Sequence, residues 1–172
     1  MGSRPEFEQA ARGLGRLMAQ HGTELVYGGA SIGLMGAVAD AVLENGGRAI
    51  GVIPEHLADY EIAHSGLTRL EVVADMHTRK ARMSELSNAF IALPGGVGTL
   101  EELFEVITWS GIGLHRKRCC LLNVAGFYND LIHFLDTAVE TGFIRSSVRE
   151  LLLVAEQPAH ALKLCEGMDQ TS

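Results

Sequence analysis

The sequence predicts an α/β protein: a doubly wound parallel sheet in three α/β/α layers, with its opening strand missing or truncated. Short apolar runs alternate with stretches of helical period along the 172 residues. Several of those runs, "RAIGVIP" and "AFIALP" among them, are apolar throughout, as strands covered on both faces must be. Glycine-rich turns follow two of the runs and open a helix each time. No repeat or linker interrupts the pattern, so residues 1–172 read as a single domain.

The elements follow in order. Residues 6–20 set Phe7, Ala10, Ala11, Leu14, Leu17 and Met18 on a helical period that ends at His21-Gly22. This helix has no strand before it, which is why the opening strand is expected to be missing. "ELVY" (24–27) is a short buried strand, and "GLMGAVADAVLENGG" a helix stopped by Asn45-Gly46-Gly47. "RAIGVIP" is a strand ended by Pro54; residues 55–68 are polar and irregular, with Glu61 and His64 among them. "RLEVVA" is a strand and "MHTRKARMSELS" a helix. "AFIALP" (89–94) leads into a helix from about Thr99 to Trp109. "CCLLNV" is the next strand, "FYNDLIHFLDTAVETGF" an amphipathic helix, residues 151–154 a short apolar run and 158–166 a last helix.

Composition narrows the function. With 47% hydrophobic and 20% charged residues the chain is globular rather than disordered. A formal charge of -7 gives no electrostatic footprint for nucleic acid or an anionic membrane, so neither is expected as a partner. Cys119, Cys120 and Cys165 are odd in number and unsuited in spacing to a disulfide framework, so they read as buried thiols. The segment "MGSRPEFEQA" has no apolar signal core and no 18-residue apolar run follows, which makes the cytoplasm the expected location.

The chemistry is expected where ligands collect in such sheets, at the C-terminal ends of the strands. "VYGGASIGLMG" (26–36) and "LPGGVGTLEE" (93–102) both stand there. Peptide N–H groups at such turns, with a helix N-terminus, suit phosphate. Neither turn is a Walker loop or a dinucleotide fingerprint. Thr99 is a candidate N-cap, and with it "TLEE" forms a capping box that would give Glu102 a purely structural role. "MHTRKARM" (76–83) supplies Arg79 and Lys80, one to face a ligand and the other its rim. An arginine there can grip phosphate in two-pronged fashion. The seven His and three Cys fall into no zinc spacing, so no metal is expected, and there is no serine-hydrolase elbow. These ingredients suit either hydrolysis of the glycosidic bond of a nucleotide monophosphate or simple nucleotide binding.

Together "VYGGASIGLMG", "GVIPEHL", "MHTRKARM", "LPGGVGTLEELFEVITW" and "LLNVAGFYNDLIHFLD" closely resemble the LOG family, from about Ala10 to Ile144. Its members are cytokinin riboside 5'-monophosphate phosphoribohydrolases, often mislabelled lysine decarboxylases. The resemblance implies a Rossmann-like fold, a homodimer, and hydrolysis of N6-substituted adenosine monophosphates, and of AMP, to free base and ribose 5-phosphate without a cofactor. It implies catalytic roles for Arg79 and Glu102. It implies substrate contacts at Gly28, Gly29, Glu61, Lys80 and the run Gly95, Gly96, Val97, Gly98, Thr99, Leu100 and Glu101. Ala30 stands where the family commonly has a third glycine, and Gly111 and Ile112 replace the usual glutamine and leucine. The rivals are a non-catalytic nucleotide binder resembling molybdenum cofactor carriers, and a pyridoxal-phosphate decarboxylase. For the latter no lysine among Lys80, Lys117 and Lys163 is singled out.

Overall fold

The computed structural model describes residues 2–58 and 63–167; Glu61 lies outside the described residues. The chain forms two compact units, Met1–Ser87 and Asn88–Ser172.

The first unit runs α1 (Pro5–His21), β1 (Leu25–Tyr27), α2 (Gly33–Glu44), β2 (Ala49–Pro54), α3 (Glu55–Ala58), β3 (Arg69–Val73) and α4 (Met76–Leu86). Its sheet is parallel in the order β1-β2-β3, with Val26 opposite Ile50 and Gly51 opposite Leu70. Every residue of the central strand β2 is buried, as its unbroken apolar run requires. α1 lies on α2, and Gly15 meets the backbone of Val38 so closely that a Cβ there would collide with its carbonyl oxygen. Asp75 caps α4, its carboxylate accepting the Thr78 N–H at 2.7 Å, which holds the carboxyl below its usual range.

In the second unit β4 (Ala89–Ala92), α5 (Val97–Gly111), β5 (Arg118–Leu122), a 3-10 turn (Val124–Gly126), α6 (Asn129–Glu140), α7 (Ser146–Arg149), β6 (Leu152–Ala155) and α8 (Pro158–Glu166) follow in turn. The sheet is again parallel, in the order β4-β5-β6. Leu103 and Ile107, one helical turn apart on α5, join Cys119, Leu121, Tyr128, Leu135 and Leu152 in its core. Burial pushes the thiols of Cys119 and Cys120 up to about 12, so both stay protonated as ordinary core side chains.

The α/β class and the parallel pairing agree with the sequence reading, and among the described residues six strands lie in two sheets of three. Among the described residues no strand precedes α1. The short helices α3 and α7 and the 3-10 turn were not expected, because four residues or fewer contain too little of a helical period to show one. Ala30 is fully buried, and among the described non-glycine residues only Ala125 has a positive φ, so alanine is unstrained in the first glycine turn. Among the described residues no helix is long and apolar enough to cross a membrane.

Candidate active site

In the first unit the site grows from the exit of β1. The chain turns there through Gly28 and Gly29, the latter at φ 84° in the left-handed region that glycine occupies without cost. The Gly29 carbonyl accepts the His64 N–H at 3.0 Å, and Ala30 bridges to Ala63. Arg79 reaches this turn from α4. A Cβ on Gly28 would overlap Arg79 Nη2 and stand 3.2 Å from Cζ, so the missing side chain is what lets the guanidinium lie against the strand exit.

Arg79 is only 6% exposed. Its Nη1 points at Met76 Sδ at 3.6 Å, a weak acceptor, and its buried Nε has no hydrogen-bond partner among the described residues. Burying a cation with its donors incompletely satisfied costs on the order of several kcal/mol. A buried donor left open beside a glycine turn is a group that an anion could satisfy. Of the two adjacent basic residues, Arg79 is the one turned inward; Lys80 is half-buried beside it.

In the second unit the corresponding feature is the start of α5. β4 runs through Leu93-Pro94-Gly95 to Gly96, which is the N-cap: its backbone is extended, and no side chain caps the helix. The expectation that Thr99 caps this helix is corrected here. Thr99 is the third helical residue, and its Oγ1 sits where a Cβ on Gly95 would be. The capping box for Glu102 falls with it, since the position three beyond the cap is Thr99. The first intrahelical bond here is Leu100 N–H to Gly96 O, at 3.2 Å. The amides of Val97, Gly98 and Thr99 are thus the ones a helix leaves without internal partners.

Gly96, Val97 and Gly98 are exposed, Val97 to 84%. Neither Gly96 nor Gly98 has a positive φ, and nothing stands within 4 Å of a Cβ built on either. Backbone and packing would thus accept a side chain at both positions. Its absence leaves the positive end of a 15-residue helix bare, the arrangement an anion needs for close approach. Glu101, exposed, and Glu102, half-buried, lie on the second turn of this helix, ahead of the core residue Leu103.

The sequence reading missed what holds this loop. The hydroxyl of Tyr128, 2% exposed, donates to Leu93 O at 2.5 Å. Tyr128 N–H is itself held by Asn123 Oδ1 at 2.7 Å, and Asn123 Nδ2 donates to Asn129. Burial raises the phenol to about 12, so it remains a donor across the working range. Tyr128→Phe strands a carbonyl at the head of the glycine loop. A loss of about 1–3 kcal/mol in denaturant-measured stability is expected, with a fall in activity that ligand concentration does not restore.

Gly28, Gly29, Arg79 and Lys80 thus belong to the first unit, and the run from Gly95 to Glu102 to the second. Parallel strands with glycine turns at their exits define an α/β protein of the class that collects ligands at the C-terminal ends of its strands. The family described as "Possible lysine decarboxylase" matches residues 35–165. The chain belongs to this family, and within it to the LOG group. It is 53% identical over 152 residues to a cytokinin riboside 5'-monophosphate phosphoribohydrolase of Rhodococcoides fascians, covering 88% of this chain and 77% of that one. It is 48% identical over 165 residues to cytokinin riboside 5'-monophosphate phosphoribohydrolase LOG3 of Arabidopsis thaliana, covering 96% and 77%. Among solved structures, the molybdenum cofactor binding protein of Rippkaea orientalis matches with a TM-score of 0.72 at 22% identity, over 94% of this chain and 86% of that one. The Moco carrier protein of Chlamydomonas reinhardtii matches at 0.70 and 24%, with the same coverage. At such identities these two report the fold alone.

Proposed function

We propose that the chain is a phosphoribohydrolase that cleaves the N-glycosidic bond of cytokinin riboside 5'-monophosphates, N6-substituted adenosine monophosphates, and of AMP. Its products are free base and ribose 5-phosphate. The observation that carries this reading is the bare N-terminus of α5, whose glycines neither backbone nor packing requires. The 5'-phosphate sits on the amides of Val97, Gly98 and Thr99, and that remote binding energy orients C1' for attack. As the bond from C1' to the base lengthens, its electron pair leaves with the base, which takes up a proton, and positive charge grows on the sugar. Glu102 as carboxylate stabilises that charge and accepts the proton of the attacking water, as the base carboxylate of an inverting glycosidase does. Arg79 supplies its open Nε–H and fork to substrate oxygens. Gly28, Gly29, Glu61, Lys80, Gly95, Leu100 and Glu101 complete the substrate contacts in this reading. It needs no cofactor, and it includes a cytoplasmic homodimer.

Incubating the protein with AMP and with its N6-isopentenyl analogue, and separating free base from nucleotide, tests the proposal. Binding of either nucleotide without release of base would overturn it in favour of a carrier. A sharper test uses Gly98→Ala. Alanine at the second helical position fits the open space and is expected to raise stability by up to about 1 kcal/mol. The same methyl clothes the phosphate seat, so KM for the nucleotide should rise at least on the order of tenfold. A variant more stable than the parent yet equally active would remove the helix terminus from the site.

A further inference from the structure

We infer that His64 and Asp40 form a positioning pair that holds the first glycine turn, and through it Arg79, in working geometry; the inference rests on the function proposed above. His64 is tied at three points. Its backbone N–H donates to Gly29 O at 3.0 Å. Its Nδ1 accepts the Gly66 N–H at 3.1 Å. That bond leaves the ring proton on Nε2, which donates to Asp40 Oδ1 at 2.9 Å. The His64 side chain is 12% exposed and that of Asp40 40%, so the ring is largely covered while the carboxylate is open to water on one side.

The pair spans separate elements. Asp40 stands on α2, itself the helix opened by the glycine turn, while His64 lies between α3 and β3. The Ala30–Ala63 bridge and the His64–Gly29 bond stitch the chain around His64 to the turn backbone. Gly28, the next residue back, is the surface on which the Arg79 guanidinium rests, so closely that no side chain could intervene. Among the described residues Arg79 has no hydrogen bond at Nε to fix its plane. Its orientation therefore depends on the turn beneath it and on the sulfurs beside it, Met35 Sδ near the Gly28 face and Met76 Sδ at Nη1. Loosening the turn releases the guanidinium. The cost falls on turnover and, because Arg79 in the proposed reading also gives its donors to substrate oxygens, to a smaller extent on nucleotide affinity.

The test compares His64→Ala, Asp40→Ala, Asp40→Asn and the double variant His64→Ala/Asp40→Ala with the parent. Each alanine variant should lower kcat on the order of tenfold and weaken AMP binding by less than Arg79→Met does, since the guanidinium is displaced rather than removed. Asp40→Asn keeps an oxygen that can accept from Nε2–H and should retain most activity. The double variant should lose no more than either single one, as members of one pair do. Independently of catalysis, the Arg79 Nε–H nitrogen resonance, assigned by its loss in Arg79→Met, should move in both alanine variants and stay in place in Asp40→Asn. Parental kcat in both alanine variants overturns the inference, even where their thermal midpoints fall, since the pair would then serve the fold alone. A parent that releases no base sinks the proposed function instead, and the Arg79 resonance still decides the positioning role: unmoved in both alanine variants, it overturns that role.

Discussion

Glu102→Gln is expected to lower kcat by about 10²–10⁴-fold while the Kd for AMP stays near that of the parent, the loss characteristic of a removed general base. Glutamine keeps the shape and helix propensity of glutamate but can neither take a proton from water nor offset positive charge on the ribosyl group. The proposed phosphate seat consists of backbone amides at the start of α5, which the substitution does not alter. Calorimetric or fluorescence titration with AMP beside single-turnover base release separates the two quantities. The rival account, Glu102 as part of a capping box, predicts the opposite: parental turnover and a lower thermal midpoint. The cap at Gly96 already argues against it, because the reciprocal bond of such a box would have to come from residue 99. A Glu102→Gln protein that releases base at the parental rate would take the carboxylate out of the mechanism.

What the sequence made legible follows from how each feature is encoded. β2 could be read because a strand covered on both faces needs an apolar run, β4 because it carries such a run although its residues are only half-buried, and the helices because α1 and α6 repeat their buried residues at helical spacing. Local rules gave the start of α5 two residues late. Thr99 has the better cap chemistry, yet the backbone turns into the helix at Gly96, and Thr99 is used against Gly95 instead. The basic run around Arg79 was legible as a run, but which member faces inward is decided by Gly28, distant in sequence. The Tyr128–Leu93 and His64–Asp40 bonds were not legible at all. Each joins residues far apart in sequence, and neither spacing nor composition marks a tyrosine or histidine that will find such a partner.

Arg79→Met should produce a protein that is more stable and nearly inactive. The arginine is buried, its Nε has no partner among the described residues, and one of its terminal nitrogens leans on a thioether. Methionine fills a similar linear volume among the sulfurs of Met35 and Met76 and carries no charge to desolvate. Replacing buried charge by an apolar side chain of like size is commonly neutral to stabilising by about 1–4 kcal/mol, so the thermal midpoint of the apo protein should hold or rise. Activity should move the other way, kcat/KM falling by about 10²–10³-fold, as when a single preorganised electrostatic donor is removed. Arg79→Lys should not restore it, since an ammonium cannot reproduce the planar fork. The parent should also gain more thermal stability from saturating AMP than the methionine variant does, because only the parent has a buried donor waiting for an acceptor. If instead Arg79→Met unfolds readily and the residual folded fraction turns over normally, Arg79 is a structural residue. The stability held in reserve at this position would then have no function to explain it. A residue that costs the empty protein stability and contributes it back when substrate arrives is what separates a binding site from a packing accident.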